Sequence, residues 1–66
     1  MQVIVNGKDR DVPEELTVRG LVEHLGLGAG PVAVEINRAI VPRADHATHK
    51  VAPGDAIEIV HFVGGG

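Results

Sequence analysis

The chain has 66 residues and carries six Lys and Arg against nine Asp and Glu, for a net charge of −3. The acidic balance and the single aromatic residue argue against nucleic acid as a partner. A domain of this size buries only about 60% of its unfolded surface, which leaves little room to enclose a substrate pocket. Since the chain also lacks Cys, Ser, Tyr and Trp, an independent enzyme is not expected.

The composition also bears on where the chain acts. The first residues lack the charged start and apolar stretch of a secretory signal. No apolar run approaches the roughly 20 residues that span a bilayer. The absence of cysteine fits a reducing compartment. We therefore expect a cytoplasmic protein with no membrane partner.

The first half of the chain predicts a hairpin followed by one helix. Strands are expected at residues 2–6 and 8–12, because Asn6-Gly7 is a strong hairpin signal. Thr17 is the predicted N-cap of the helix, and Gly26 is expected to end it. The apolar residues that recur at helical spacing between them are Val18, Leu21, Val22 and Leu25.

The second half predicts three more strands, at residues 32–37, 39–41 and 56–63. Pro42 should end the middle one, and Pro53-Gly54-Asp55 should form a tight turn before the last. A lone amphipathic helix needs a sheet to cover its apolar stripe. The order therefore predicts an α+β domain over residues 1–63, with a mixed sheet of four to five strands packed on one helix. A hairpin, a helix and further strands make the β-grasp, or ubiquitin-like, arrangement, in which the first and last strands pair in parallel at the centre.

A tail of three glycines, Gly64, Gly65 and Gly66, follows the last predicted strand directly. Glycine has no Cβ and adopts almost any backbone angle, so such a tail can extend into a narrow site on another protein. We expect a flexible tail over residues 64–66 that presents its terminal carboxylate. A frayed end without function is the alternative, since termini are commonly disordered.

Three stretches and the glycine end resemble the ThiS family, the bacterial sulfur carrier proteins of thiamine biosynthesis. The stretches are Val5-Asn6-Gly7-Lys8, Val32-Ala33-Val34-Glu35-Ile36-Asn37-Arg38-Ala39-Ile40-Val41-Pro42-Arg43 and Pro53-Gly54-Asp55-Ala56-Ile57-Glu58-Ile59-Val60. Each piece is weak by itself, but their joint order and spacing are specific. The third terminal glycine departs from the usual pair and lengthens the tail without changing its terminal chemistry.

The resemblance implies a carrier that is not an enzyme and holds no cofactor of its own. A ThiF-type partner would use ATP to adenylate the carboxylate of Gly66. Sulfur from a persulfide donor would then replace the adenylate and give a thiocarboxylate. A ThiG-type thiazole synthase would receive that sulfur. Gly64 and Gly65 would form the reach into these partners.

Outside the tail, the residues predict one docking surface and no metal site. Strand alternation turns Ile4, Val60 and Phe62 away from the helix, and we expect them to form an exposed apolar patch near the tail that binds a partner. His46 and His49 form an H-x-x-H pair in a polar loop, but zinc requires three or four ligands. These histidines are therefore expected to hold no metal.

Two other functions fit the same pattern. A MoaD-like small subunit of molybdopterin synthase would share the fold, the glycine end and the activation chemistry, and would deliver sulfur to a pterin precursor. A non-catalytic interaction module of the β-grasp type is a different class, and it would need no glycine tail. Truncating the tail separates the second alternative from a carrier.

Overall fold

The computed structural model describes residues 1–28 and 30–62. Their elements in chain order are strand β1 (Gln2–Val5), strand β2 (Lys8–Asp11), helix α1 (Val18–His24), strand β3 (Val32–Ile36), strand β4 (Ala39–Val41) and strand β5 (Ala56–His61). A 3-10 turn at Arg43–Asp45 lies between β4 and β5. Helix α1 has only seven residues, and no helix in the described ranges is long and apolar enough to cross a membrane.

The five strands form one sheet in the order β2-β1-β5-β3-β4. Strands β1 and β5 pair in parallel, and every other neighbouring pair is antiparallel. The sheet therefore has the first and last strands of the chain at its centre, which confirms the predicted β-grasp arrangement. Strands β1, β2 and β3 each end one residue earlier than predicted, and β5 ends at His61 rather than at residue 63. For β1 and β3 the reason is that Asn6 and Asn37 have positive φ angles of 50° and 51° and turn the chain.

One face of the sheet and one stripe of α1 enclose the core. Leu21 and Val18 of the helix are fully buried, and Val22 is nearly so. The sheet side chains that meet them come from alternate positions on four strands: Val3, Val5, Val34, Ile36, Val41, Ile57 and Ile59. Alternation leaves the opposite face of the sheet without a covering layer in the described chain.

Both ends of α1 are capped as the sequence predicts. The Thr17 hydroxyl accepts a hydrogen bond of 3.1 Å from the Gly20 amide. At the other end, Gly26 has a φ of 78°, and the amides of Gly26 and Leu27 donate to the carbonyls of Glu23 and Val22 at 3.0 and 2.9 Å. This is a Schellman motif. The caps stabilise a helix that is too short to form by itself.

Candidate functional site

The candidate site lies at the carboxyl end of β5, from which the glycine tail leaves. Ile57 and Ile59 of this strand are buried against the helix, whereas Val60 and Phe62 face the uncovered side of the sheet. The strand is therefore anchored by its inward side chains almost to its end. The predicted tail residues, together with Val63, lie outside the described residues.

An apolar surface lies at the carboxyl end of β5, shortly before the glycine tail in the sequence. Val60 is 55% exposed and lies directly beside Ala33 of β3. Phe62 is 51% exposed, and its amide donates a hydrogen bond of 3.1 Å to the Pro31 carbonyl. We refer to Val60, Phe62, Ala33 and Pro31 as the carboxyl-end patch. It includes the chain's one aromatic side chain, two residues before the tail in the sequence, and aromatic side chains are enriched at protein interfaces.

Ile4 faces the same side of the sheet but does not join this patch. It is 38% exposed and pairs with Ala56, at the beginning of β5. Val60 lies four residues further along that strand, which corresponds to about 13 Å. The expectation of one continuous patch of Ile4, Val60 and Phe62 is therefore wrong for Ile4. Strand alternation gives its orientation correctly, but only the register shows its distance from the tail.

Two features of the uncovered face were not predicted from the sequence. Glu35 and Glu58 are exposed and directly opposite each other on β3 and β5, so two like charges meet where no positive partner is present in the described chain. Ile40 of β4 lies on the other side of Glu35 and is 75% exposed. Strand alternation puts Ile40 on the opposite face from its neighbour Val41, so placing Val41 in the core would have predicted that Ile40 faces outward. The opposition of the two glutamates depends instead on the register between β3 and β5.

Two asparagine side chains hold the backbone of β5. Asn6 accepts a hydrogen bond of 2.8 Å from the Ile59 amide through Oδ1 and donates one of 3.2 Å to the Ile59 carbonyl through Nδ2. Asn37 accepts one of 3.0 Å from the Ala56 amide and donates one of 3.1 Å to Asp55 Oδ1. The first asparagine therefore holds the end of β5 near the tail, and the second holds its beginning.

A surface depression on the helix side of the sheet forms an open cleft of about 770 Å³. Its lining mixes charges of both signs, with Arg19 and Glu23 on α1 and Arg43 on the 3-10 turn. Arg19 Nε lies 4.0 Å from Glu23 Oε2, an exposed pair of little energetic value. Among its described lining residues, the cleft places no nucleophile beside a base.

The histidine pair of the polar loop does not converge on a metal site. His46 Nε2 lies 3.0 Å from the Val41 carbonyl, so this ring nitrogen donates a hydrogen bond in the fold. His49 is exposed. Among residues 1–28 and 30–62, no three His, Cys, Asp or Glu side chains are placed to hold a metal ion.

These features define a class of protein: a small β-grasp domain whose uncovered sheet face and apolar patch accompany a glycine tail at the end of a central strand. The family model for the ThiS family matches residues 3–66. The chain therefore belongs to the ThiS family, as its sequence predicted.

Individual relatives agree with this assignment. The chain is 35% identical to the sulfur carrier protein ThiS of Escherichia coli K12, over the full length of both. The crystal structure of the thiamine biosynthesis protein ThiS from Geobacter metallireducens is 36% identical, with a TM-score of 0.84 and full coverage of both chains. A thiazole synthase of Paramagnetospirillum magneticum is 42% identical over 66 residues, but the chain spans only 20% of its length.

Proposed function

We propose that this chain is a sulfur carrier that bears its cargo on the carboxylate of Gly66 and donates it to thiazole formation in thiamine biosynthesis. The observation that carries the proposal is the family match, which extends from residue 3 through the terminal glycine at residue 66. The thiazole synthase relative, which contains a segment similar to the whole chain, supports a ThiG-type synthase as the acceptor.

The chemistry requires a partner enzyme at each step. A carboxylate is a poor electrophile, so its oxygen first attacks the α-phosphorus of ATP and pyrophosphate leaves. The terminal sulfur of a persulfide donor then attacks the acyl carbon and AMP leaves. A thiol cleaves the resulting acyl disulfide, which releases the thiocarboxylate and a disulfide of the donor. In this scheme a ThiF-type enzyme stabilises the phosphates, and the reactions take place in the cytoplasm.

The chain contributes an accessible end and a surface that guides docking, rather than catalytic groups. Three extended residues span at most about 10 Å, so Gly64 and Gly65 would allow Gly66 to enter a shallow channel. The carboxyl-end patch would bind the surface around the mouth of that channel, because exposed apolar patches commonly mark partner sites. Ile4 would contribute at a separate point of the same face.

The first experiment measures the intact mass of the chain after incubation with a ThiF-type enzyme, ATP and a persulfide donor. We expect a gain equal to replacement of one oxygen by sulfur, located in the C-terminal peptide. A chain that keeps its free carboxylate under these conditions contradicts the carrier function and favours an interaction module.

The second experiment tests whether the tail passes through a site shaped for bare backbone. Gly66→Val and Gly65→Val should each abolish ATP–pyrophosphate exchange without changing the fold, because a branched side chain collides with such a site. Ala52→Val is the matched control, since Ala52 is exposed and lies in the loop before β5, at the opposite end of the sheet from the tail. Normal exchange by the two glycine variants would refute the threading of the tail.

A further inference from the structure

The Asn6 side chain makes the hydrogen bonds to β5 that the backbone of β1 would make if that strand continued. Main-chain pairing of β1 with β5 stops because Asn6, with a φ of 50°, turns the chain into the hairpin. The side chain then bonds both the amide and the carbonyl of Ile59. An amide side chain offers the same donor and acceptor as a peptide group, so it extends the pairing by one more residue of β5.

Among the described residues, this is the last hydrogen-bonded support on the β1 side of β5. The Asn6 amide donates to the Ile57 carbonyl at 2.9 Å, and the Phe62 amide donates to Pro31 at 3.1 Å. Odd-numbered residues of β5 therefore bond towards β1, and even-numbered residues bond towards β3. His61 is the next residue that faces the β1 side, and within the described ranges its amide and carbonyl have no partner there.

We propose that Asn6 is a positioning residue for the glycine tail, an inference that rests on the proposed function. By holding Ile59 on the β1 side, it keeps β5 paired on both edges until two residues before the end of the strand. Without this contact, β5 beyond Ile57 is paired only with β3, and the tail leaves in a wider range of directions. A partner enzyme must then order this segment when it binds, which weakens binding.

Asn37 provides a matched control within the same strand. It has nearly the same φ, 51°, and its side chain also makes two hydrogen bonds, one of them to the backbone of β5. It acts at Ala56, the first residue of β5, whereas Asn6 acts near the last. A purely structural role would make the two residues equivalent, but a positioning role would make only Asn6 matter for the tail.

The experiment compares Asn6→Gly with Asn37→Gly. Glycine tolerates the positive φ at both positions, so each variant loses the side-chain hydrogen bonds without added backbone strain. We measure the melting temperature, the amide exchange of Val60 and Phe62, and ATP–pyrophosphate exchange as a function of carrier concentration. Both variants should lower the melting temperature by a similar amount.

The two variants should differ in their exchange kinetics. For Asn6→Gly we expect the KM for the carrier to rise about five- to tenfold, on the order of one or two lost hydrogen bonds. Its kcat should stay unchanged, because the tail reacts normally once it is seated. Amide exchange at Val60 and Phe62 should become faster in this variant alone. Asn37→Gly should keep KM within about twofold of the wild type.

The outcomes separate this inference from the proposed function. An equal rise in KM for both variants, or none for Asn6→Gly, overturns the positioning role. Failure of the wild-type chain to become adenylated overturns the proposed function instead. Amide exchange then decides whether Asn6 orders the end of β5: faster exchange only in Asn6→Gly supports the ordering role, and equal exchange in both variants refutes it.

Discussion

Substitution of Phe62 should change partner binding with little effect on folding, because half of this side chain is exposed. A Phe side chain has on the order of 200 Å² of surface, and Phe62 is 51% exposed, so about 100 Å² is free to be covered by a partner. At about 25 cal/mol per Å², covering it contributes about 2.5 kcal/mol, or about sixtyfold in Kd. Alanine keeps the Cβ and partner packing is imperfect, so we expect Phe62→Ala to weaken binding by about ten- to sixtyfold.

The assay is isothermal titration of the ThiF-type enzyme with the wild-type chain and each variant. Ile40→Ala is the matched control, because Ile40 is 75% exposed on the same face of the sheet but lies on β4. It should bind within about threefold of wild type. Phe62→Ala should also keep its unfolding free energy within about 1 kcal/mol. Unchanged affinity of a folded Phe62→Ala, or equal weakening by Ile40→Ala, would refute a docking surface centred on the carboxyl-end patch.

Three further predictions concern the stability of the domain, measured by denaturant unfolding. Leu21→Ala should lower the free energy of unfolding by about 2–5 kcal/mol, because Leu21 is fully buried. A domain of this size has a total free energy of unfolding of only roughly 3–10 kcal/mol. A loss below about 1 kcal/mol would mean that the core closes over the cavity. Glu58→Gln removes the repulsion from Glu35 across the strands and should stabilise by about 0.2–1 kcal/mol, a gain that must shrink in high salt if charge is its cause. Arg38→Gly should stabilise by about 0.5–1 kcal/mol, since Arg38 has a φ of 70° that is unfavourable for a residue with a Cβ; no gain would show that the turn relieves this strain in another way.

The local signals in the sequence predicted local structure well. Thr17 and Gly26 begin and end the helix as expected because capping depends on a few neighbouring residues. The central parallel pair of strands followed from the order of elements and from the apolar content of both strands. Capping rules were sufficient to predict the helix ends, and the order and apolar content of the elements were sufficient to predict the central strand pair.

The features that could not be predicted from the sequence depend on the register between strands that are distant in the chain. Ile4 was placed near Val60 because alternation fixes which face a side chain takes but not how far along the sheet it lies. The opposition of Glu35 and Glu58 was hidden for the same reason, since 23 positions separate them in the chain and only pairing brings them together. The bonds from Asn6 to Ile59 join residues 53 positions apart. The hairpin signal predicted the turn at Asn6 but not the use of its side chain.

Under the proposed function other proteins bind the glycine tail, and the sheet order suits the last strand to carry it. β5 lies between β1 and β3, so a force on the tail must break hydrogen bonds on both sides to peel the strand away. A tail that followed an edge strand such as β2 or β4 would need only one ladder to break. The β1 side ends first, at Val5, and the Asn6 side chain extends its support to Ile59. We therefore expect Asn6→Gly to move the first point of opening back from Ile59 towards Ile57, and hydrogen exchange should show that shift before any loss of the core.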